Sequence, residues 1–337
     1  MKNFKNKSIL ITGGTGSFGQ AFVNEILKHH KIIKKIVVFS RDELKQFQMS
    51  EKFPLEKYPK LRYFLGDLRD KERIHGAMDG IDIVVHAAAL KHVSTAEYNP
   101  FEFVKTNIIG AQNLIEACLD NKPKNVIAIS TDKAVSPINL YGATKLASDK
   151  LFLAANNIKG KRDIKFSVAR YGNVMASRGS VIPFFIEQRK KGYLPITDLK
   201  MTRFNISISQ AVEFVMWALE KNIGGEIFIP KCPSYKITDL AKAIDNQAKI
   251  KITGIRPGEK IEEELISKAE NNKTVDLGKC YVVVGTTNDK TEKYYSGKKF
   301  KKVKKDFNYT SGTNEKFLSV KDLKDLIKRN FLNIKNK

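Results

Sequence analysis

Thr12-Gly13-Gly14-Thr15-Gly16-Ser17-Phe18-Gly19 follows the short apolar run Ser8 to Thr12 and opens a stretch with helical periodicity from Phe18 to Lys28. Glycines in that strand, turn and helix context are the signature of a dinucleotide-binding unit. Gly13 permits the tight turn, Gly16 lets the backbone approach a pyrophosphate, and Gly19 lets the helix pack closely on the sheet, at the spacing Gly-x-x-Gly-x-x-Gly. Thr15, Ser17 and Phe18 belong to the same turn, and the helix N-terminus behind it faces the anion.

Outward from this turn, the first 170 residues alternate short β-branched runs with helical patterns, the sequence form of a doubly wound parallel α/β sheet of Rossmann type. Strands are expected near Ser8 to Thr12, Lys35 to Ser40, Leu61 to Gly66, Ile81 to His86, Asn125 to Ser130 and Ile164 to Arg170, giving six parallel strands. The clearest helices are Phe18 to Lys28, Pro100 to Leu119 and Tyr141 to Ala155, each with an apolar face at 3.6-residue spacing. Past Tyr171 the alternation gives way to loops and isolated helices, including Val181 to Lys191, Ser209 to Lys221 and Ile237 to Ile244. The expected division is a dinucleotide-binding domain over 1–170 and a smaller, mainly substrate-binding lobe over 171–337, with the chain free to cross between them.

A chain of 337 residues with 42% apolar content and no long low-complexity tract buries a sizeable core. Ile81 to Leu90 and Ala211 to Leu219 fall short of the roughly 18 residues a spanning helix needs. No membrane segment is expected, and the stretch from Met1 to Lys7 lacks signal-peptide character, so a cytoplasmic location follows. Cys118, Cys232 and Cys280 are far apart and odd in number, which argues for buried thiols and against a disulfide framework or a metal site. The net charge of +24 attracts phosphate in principle. Its excess is mostly Lys, spread along the chain, and even the densest part, Lys290 to Lys337 with 15 basic and 5 acidic residues, carries no nucleic-acid motif. No nucleic-acid partner is expected; a homo-oligomer is.

After the second strand an NAD-binding protein usually places an acidic side chain on the adenosine ribose, whereas this chain reads Phe39-Ser40-Arg41-Asp42-Glu43. Arg41 can pair with a 2′-phosphate, Lys45 stands one helical turn further on, and Ser40 can donate a hydrogen bond, so NADP is favoured. Asp42 either caps the helix or reaches a ribose hydroxyl. Asp67 and Leu68 after the third strand suit an adenine edge, and Ala87, Ala88 and Ala89 after the fourth let the backbone approach the ribose and nicotinamide.

Tyr141-Gly142-Ala143-Thr144-Lys145 puts a phenol and an ammonium on one helix face, and the cation is expected to lower the Tyr141 pKa toward working pH. A phenolate there can take a hydroxyl proton while hydride leaves the same carbon. Upstream, Thr131 can hydrogen-bond the reacting hydroxyl. Asp132 and Lys133 add an acid and a base that a simple dehydrogenase does not need, which makes elimination of water plausible. Lys133 must be neutral to act as base, and moving a lysine from about 10.4 to about 7.5 costs roughly 4 kcal/mol, an amount expected from burial and adjacent cations.

These residues, with Arg170-Tyr171-Gly172-Asn173-Val174, resemble the extended short-chain dehydrogenase/reductases. More narrowly they are similar to the inverting UDP-N-acetylglucosamine 4,6-dehydratases of pseudaminic acid synthesis. The likeness runs on through Pro195-Ile196-Thr197-Asp198, Met201-Thr202-Arg203-Phe204 and Gly254-Ile255-Arg256-Pro257-Gly258-Glu259-Lys260 to the tail near Asp306 to Val320. Related hexose 4,6-dehydratases typically have Thr-Asp-Glu where this chain has Thr131-Asp132-Lys133, and the membrane-bound retaining relatives usually lack the tyrosine.

The resemblance implies an NADP-dependent hydro-lyase acting on a UDP-sugar with inversion at C5. Tyr141, Thr131 and Lys145 would serve oxidation at C4, Lys133 would handle the C5 proton, and Asp132 would protonate the C6 hydroxyl. It further implies Arg256 on the diphosphate, Glu259 on the uridine ribose, Asn173 on the diphosphate or sugar, Thr197 near the uracil, Lys91 at cofactor or sugar, and Val174 at the cofactor. The competing expectations are a nucleotide-sugar 4-epimerase, which needs no Asp132-Lys133 pair, and a non-catalytic NADP-binding protein on the same fold.

Overall fold

The computed structural model describes residues 4–28, 32–175, 180–285, 289–297 and 300–329. The end of the basic tail, 330–337, lies outside the described residues. The chain opens as β1 (Ser8–Thr12), α1 (Ser17–Leu27), β2 (Lys35–Ser40), α2 (Glu43–Lys52), β3 (Leu61–Leu65), α3 (Lys71–Ala77), β4 (Ile83–His86), α4 (Val93–Tyr98), α5 (Pro100–Phe103), α6 (Gly110–Asn121), β5 (Asn125–Thr131), α7 (Leu140–Ile158) and β6 (Lys165–Tyr171). Every residue of β1 is buried, because helices cover both faces of a parallel strand. Gly19, Phe22, Val23, Ile26 and Leu27 form the buried stripe of α1 at helical spacing. Asn139 caps α7 by accepting a 2.7 Å hydrogen bond from Gly142 N, a contribution of about 1 kcal/mol.

The second half contains β7 (Asn173–Val174), α8 (Val181–Gln188), β8 (Tyr193–Ile196), β9 (Thr202–Ile206), α9 (Ile208–Lys221), β10 (Glu226–Pro230), β11 (Ser234–Lys236), α10 (Ile237–Ile244), β12 (Lys249–Ile252), β13 (Glu264–Ile266), β14 (Thr274–Asp276), β15 (Cys280–Val284), α11 (Asp289–Tyr295), β16 (Lys301–Lys302), β17 (Tyr309–Thr310) and α12 (Val320–Ile327). Among the described residues the main sheet has ten strands in the order β16-β14-β15-β10-β6-β5-β4-β1-β2-β3. The expected six parallel strands are therefore extended: β10 pairs parallel with β6, and β15 and β14 continue the sheet antiparallel. Strand β10 escapes a pattern reading because its five residues begin with the buried charge Glu226 and end in Pro230. A second, smaller core gathers Met175, Ile182, Phe185, Leu194, Ile196, Met201, Tyr235 and Leu240 with Leu323 of α12.

The expected helix Pro100 to Leu119 is interrupted, since Val104–Ile109 winds as a π-helix between α5 and α6. The wider turn seats the buried Asn107 side chain, which takes Leu90 N at 2.8 Å and donates to Leu90 O at 2.9 Å and Thr144 Oγ1 at 3.0 Å. Such bulges mark functional regions, and this one ties the loop after β4 to α7. Strand order reverses at β1 and β4, so the crevice for a ligand opens at their carboxyl ends.

Candidate active site

Gly13, at φ +66, turns the chain at the end of β1, and a Cβ there would lie 2.8 Å from the Ala88 backbone. A Cβ on Gly19 would lie 2.5 Å from the Gly14 backbone, so this glycine sets how closely α1 packs on its own turn. A Cβ on Gly16 would meet only Gly13 O, at 3.2 Å. No side chain caps α1 and its first turn carries no acidic residue, which leaves its N–H groups available to an anion.

These groups line a cleft of about 680 Å³. It holds Gly13, Thr15, Gly16, Ser17, Phe18 and Gly19; Ser40, Arg41 and Lys45; Asp67 and Leu68; Ala87, Ala88 and Lys91; and Val174. Thr131, Asp132, Lys133, Tyr141 and Lys145 line its far end, with Asn173. The fold therefore brings the expected cofactor and catalytic residues into one space. Thr197, Arg256 and Glu259 do not line it; Thr197 Oγ1 donates to Glu259 Oε2 at 3.3 Å, and Arg256 is exposed.

At the end of the cleft lined by Arg41, Asp42 takes its capping role, accepting Lys45 N at 2.9 Å. Lys45 Nζ also turns back onto Asp42 at 2.5 Å, so its charge is engaged within the helix and not held out beside Arg41. Arg41 lies 3.8 Å from Asp67, whose nearer partner is Arg69 at 2.7 Å, and keeps a half-exposed side chain. Ser40 Oγ accepts from Gln46 Nε2 at 3.0 Å, which leaves its own hydrogen to donate. Burial lowers the Lys91 ammonium below its ordinary range.

At the other end β5 and the turn after it deliver Thr131, Asp132 and Lys133, and the N-terminus of α7 delivers Tyr141 and Lys145. Gly142 lets α7 lie directly against the carbonyl of Lys133. Thr131 Oγ1 donates to Asp132 Oδ1 at 2.9 Å, and Lys133 Nζ donates to the same oxygen at 3.2 Å. Lys145 Nζ donates to Ile129 O at 2.8 Å.

Two electrostatic expectations are corrected here. Burial raises the Tyr141 phenol to about 12, opposed chiefly by Lys133 and the Thr131 hydroxyl; Lys145, turned to a backbone carbonyl, is not what eases its ionisation. Lys133 is raised, not lowered: burial disfavours its charge, but Asp132 and Glu263 outweigh burial and hold the ammonium. Burial raises the carboxyl of Asp132 against the pull of Lys133, so this carboxylate, paired with the ammonium at rest, takes up a proton more readily than an ordinary one.

Glu263 is the residue the sequence conceals. It sits in Glu262-Glu263-Glu264, which reads as a solvated charge run, yet it is 2% exposed and 2.9 Å from Lys133 Nζ. Arg203 lies 3.8 Å from the same Glu263 oxygen and donates to the carbonyls of Thr202, Lys260 and Ile261. His86, also unremarked, is buried against Thr12 Oγ1 at 2.8 Å and is lowered by burial to about 3, so it is neutral. The segment 258–264 clasps the turn after Lys133 through Lys260 Nζ to Val135 O at 2.7 Å, Asn139 Nδ2 to Gly258 O at 2.7 Å, and Ser136 Oγ to Glu264 at 2.9 Å.

Among the described residues no cluster of His, Cys, Asp or Glu could hold a metal, and no helix is long and apolar enough to cross a membrane. The three cysteines are buried free thiols.

Residues 9–285 match the family model described as polysaccharide biosynthesis protein. The chain is 52% identical over 331 residues to the UDP-N-acetylglucosamine 4,6-dehydratase (inverting) of Campylobacter jejuni serotype O:2, covering 96% of this chain and 98% of that one. It is 44% identical over 331 residues to a protein of Rickettsia massiliae named UDP-glucose 4-epimerase, covering 96% of each. The X-ray structure of Pen from Bacillus thuringiensis superposes with a TM-score of 0.87 at 38% identity, covering 98% of this chain and 99% of that one.

Proposed function

We propose that this chain, which belongs to the polysaccharide biosynthesis protein family of extended short-chain dehydrogenase/reductases, is an inverting UDP-N-acetylglucosamine 4,6-dehydratase. The observation that carries the reading is the contact of Lys133 Nζ with Asp132 Oδ1 at 3.2 Å in the cleft that Tyr141 also lines. A 4-epimerase moves a proton and a hydride at one carbon and has no use for a second acid and base. The likeness to the inverting dehydratase of Campylobacter jejuni supports the same substrate and outcome.

The cofactor is a nicotinamide dinucleotide, and the residues present fit one: a Cβ on Gly13 would close the approach along Ala88, and the first turn of α1 is uncapped. Gly13, Gly16 and Ser17 would hold its pyrophosphate, and Ala87, Ala88, Lys145 and Val174 its ribose and nicotinamide. We take it to be NADP, because Asp42 is spent on capping α2 while Arg41 remains half-exposed at the mouth. When bound, it would supply a hydride acceptor for C4 and a hydride donor for C6, with no net consumption.

Tyr141 takes the proton of the C4 hydroxyl, with the Thr131 hydroxyl and the charge of Lys133 easing its ionisation. The C4 ketone then acidifies the C5 proton, which Lys133 removes. Asp132, inclined to its acid form by burial, protonates the C6 hydroxyl as water leaves. A proton drawn from solvent and delivered to C5 on the opposite face, as C6 is reduced, inverts that centre. Asn173 and Lys91, which line the cleft, are assigned to the sugar, and Arg256, Glu259 and Thr197, which lie outside that lining, to the nucleotide.

The epimerase reading is kept as the second one because of the relatives that bear that name. Substrate deuterated at C4 separates the two. A dehydratase delivers the label to the C6 methyl group of a 4-keto-6-deoxy product, whereas an epimerase returns it to C4 of an unoxidised sugar.

A further inference from the structure

We propose that Glu263 is the positioning residue of the acid and base pair: it fixes the Lys133 ammonium against Asp132 and sets the pH at which Lys133 gives up its proton. The inference rests on Lys133 being the C5 base. Glu263 is absent from the cleft lining, so it acts through Lys133 and not on substrate. Its backbone is clamped by the fully buried Ser311, whose Oγ accepts from Glu263 N at 2.9 Å and whose N donates to Glu263 O at 2.8 Å. The main chain that carries the carboxylate is therefore fixed beside Lys133. Its Oε2 is buried with no hydrogen-bond partner, as is Oδ2 of Asp132. Neither of these oxygens has another donor competing for the charge that the carboxylates share with Lys133.

The charged groups facing Lys133 are Asp132, Glu263 and Arg203, with Lys260 acting on Glu263 and the hydroxyls of Tyr141 and Tyr235 close by. A proton passing from Lys133 Nζ to Asp132 Oδ1, 3.2 Å away, turns the ion pair into an amine and a carboxylic acid. Those are the two forms the elimination needs. Nζ then takes the C5 proton, the C5–H electron pair becomes the C5–C6 double bond, and the C6–O bond breaks as Asp132 gives its proton to the departing hydroxyl. The ion pair is restored with no proton gained or lost. Glu263, held ionised by Lys133 and Arg203 in spite of burial, is the fixed charge against which that proton moves.

The test is competitive acetylation of the protein with acetic anhydride across pH, with Lys133 followed by peptide mass spectrometry. Only the neutral amine reacts, and no substrate is needed. Glu263→Gln should bring half-maximal labelling of Lys133 at least one pH unit lower, about tenfold more reactive at a fixed pH on that limb, and the acid limb of the dehydration profile should move the same way. Glu263→Asp keeps the charge at longer reach and should give a smaller shift in the same direction; it decides the matter if the Gln variant does not fold. Unmoved labelling in a folded variant overturns the proposal. Shifted labelling in the variants, with an unaltered enzyme that does not dehydrate the sugar, overturns the assigned reaction and leaves the contact of Glu263 with Lys133 as what sets that lysine's proton affinity.

Discussion

Lys133 Nζ lies 2.9 Å from Glu263 Oε1 and 3.2 Å from Asp132 Oδ1, so one ammonium bridges two buried carboxylates. An exposed pair of this kind would contribute little. Here the bridge fixes the distance between the groups assigned to the two ends of the elimination, and it makes Lys133 a cation at rest.

Cofactor choice should turn on Arg41. NADP should bind more tightly than NAD, and Arg41→Asp should reverse the preference by roughly 1 to 3 kcal/mol, the scale of a charged hydrogen bond. Titrating both nucleotides by intrinsic fluorescence or calorimetry checks this, and equal affinities in the unaltered protein would remove the case for a 2′-phosphate site.

Alanine in place of glycine inside a helix usually gains about 0.5 to 1 kcal/mol. Gly142→Ala should do the reverse, because its Cβ would run into the Lys133 carbonyl and sit 3.1 Å from Pro137 Cβ. Turnover should drop at least tenfold, because the displacement moves Tyr141 and the turn that carries Lys133 relative to one another. A fully active Gly142→Ala enzyme would mean that the turn carrying Lys133 tolerates displacement.

Glu226 gives a stability signature separate from catalysis. It is fully buried at the start of β10, accepts Ile223 N and Gly224 N at 2.8 Å each, and is raised by burial to about 7. A carboxyl raised above its unfolded value of 4.5 contributes fully below that value and loses the contribution as pH rises through about 7. Relative to Glu226→Gln, the unaltered protein should therefore lose up to about 3 kcal/mol between pH 4.5 and 8. Thermal melts of both proteins across that range read the difference; parallel curves would show that Glu226 ionises freely in the fold.

What was legible in the sequence follows local spacing. The turn around Gly13 to Gly19 and the four-residue step from Tyr141 to Lys145 each lie within one element, so periodicity places them, and they do line one cleft. Electrostatics was not legible, because it depends on partners from distant segments. Nothing near Lys133 announces Glu263 or Arg203, and the charged run around Glu263 imitates a surface. Adjacent cations were expected to neutralise Lys133; the fold supplies anions. Strand β10 was missed for a related reason, since its buried Glu226 is satisfied by the backbone of its own turn and not by any pattern in the chain.

The central claim, that Asp132 and Lys133 drive an inverting elimination, is tested most directly by NMR of the product formed from UDP-N-acetylglucosamine in heavy water. The unaltered enzyme should yield a 4-keto-6-deoxy sugar carrying one deuterium at an inverted C5. Lys133→Met should still bind the nucleotide while forming that product two to four orders of magnitude more slowly, the usual contribution of a positioned acid or base. Near-normal dehydration by Lys133→Met, or an unaltered enzyme that gives only the 4-epimer with no deuterium at C5, would contradict the account.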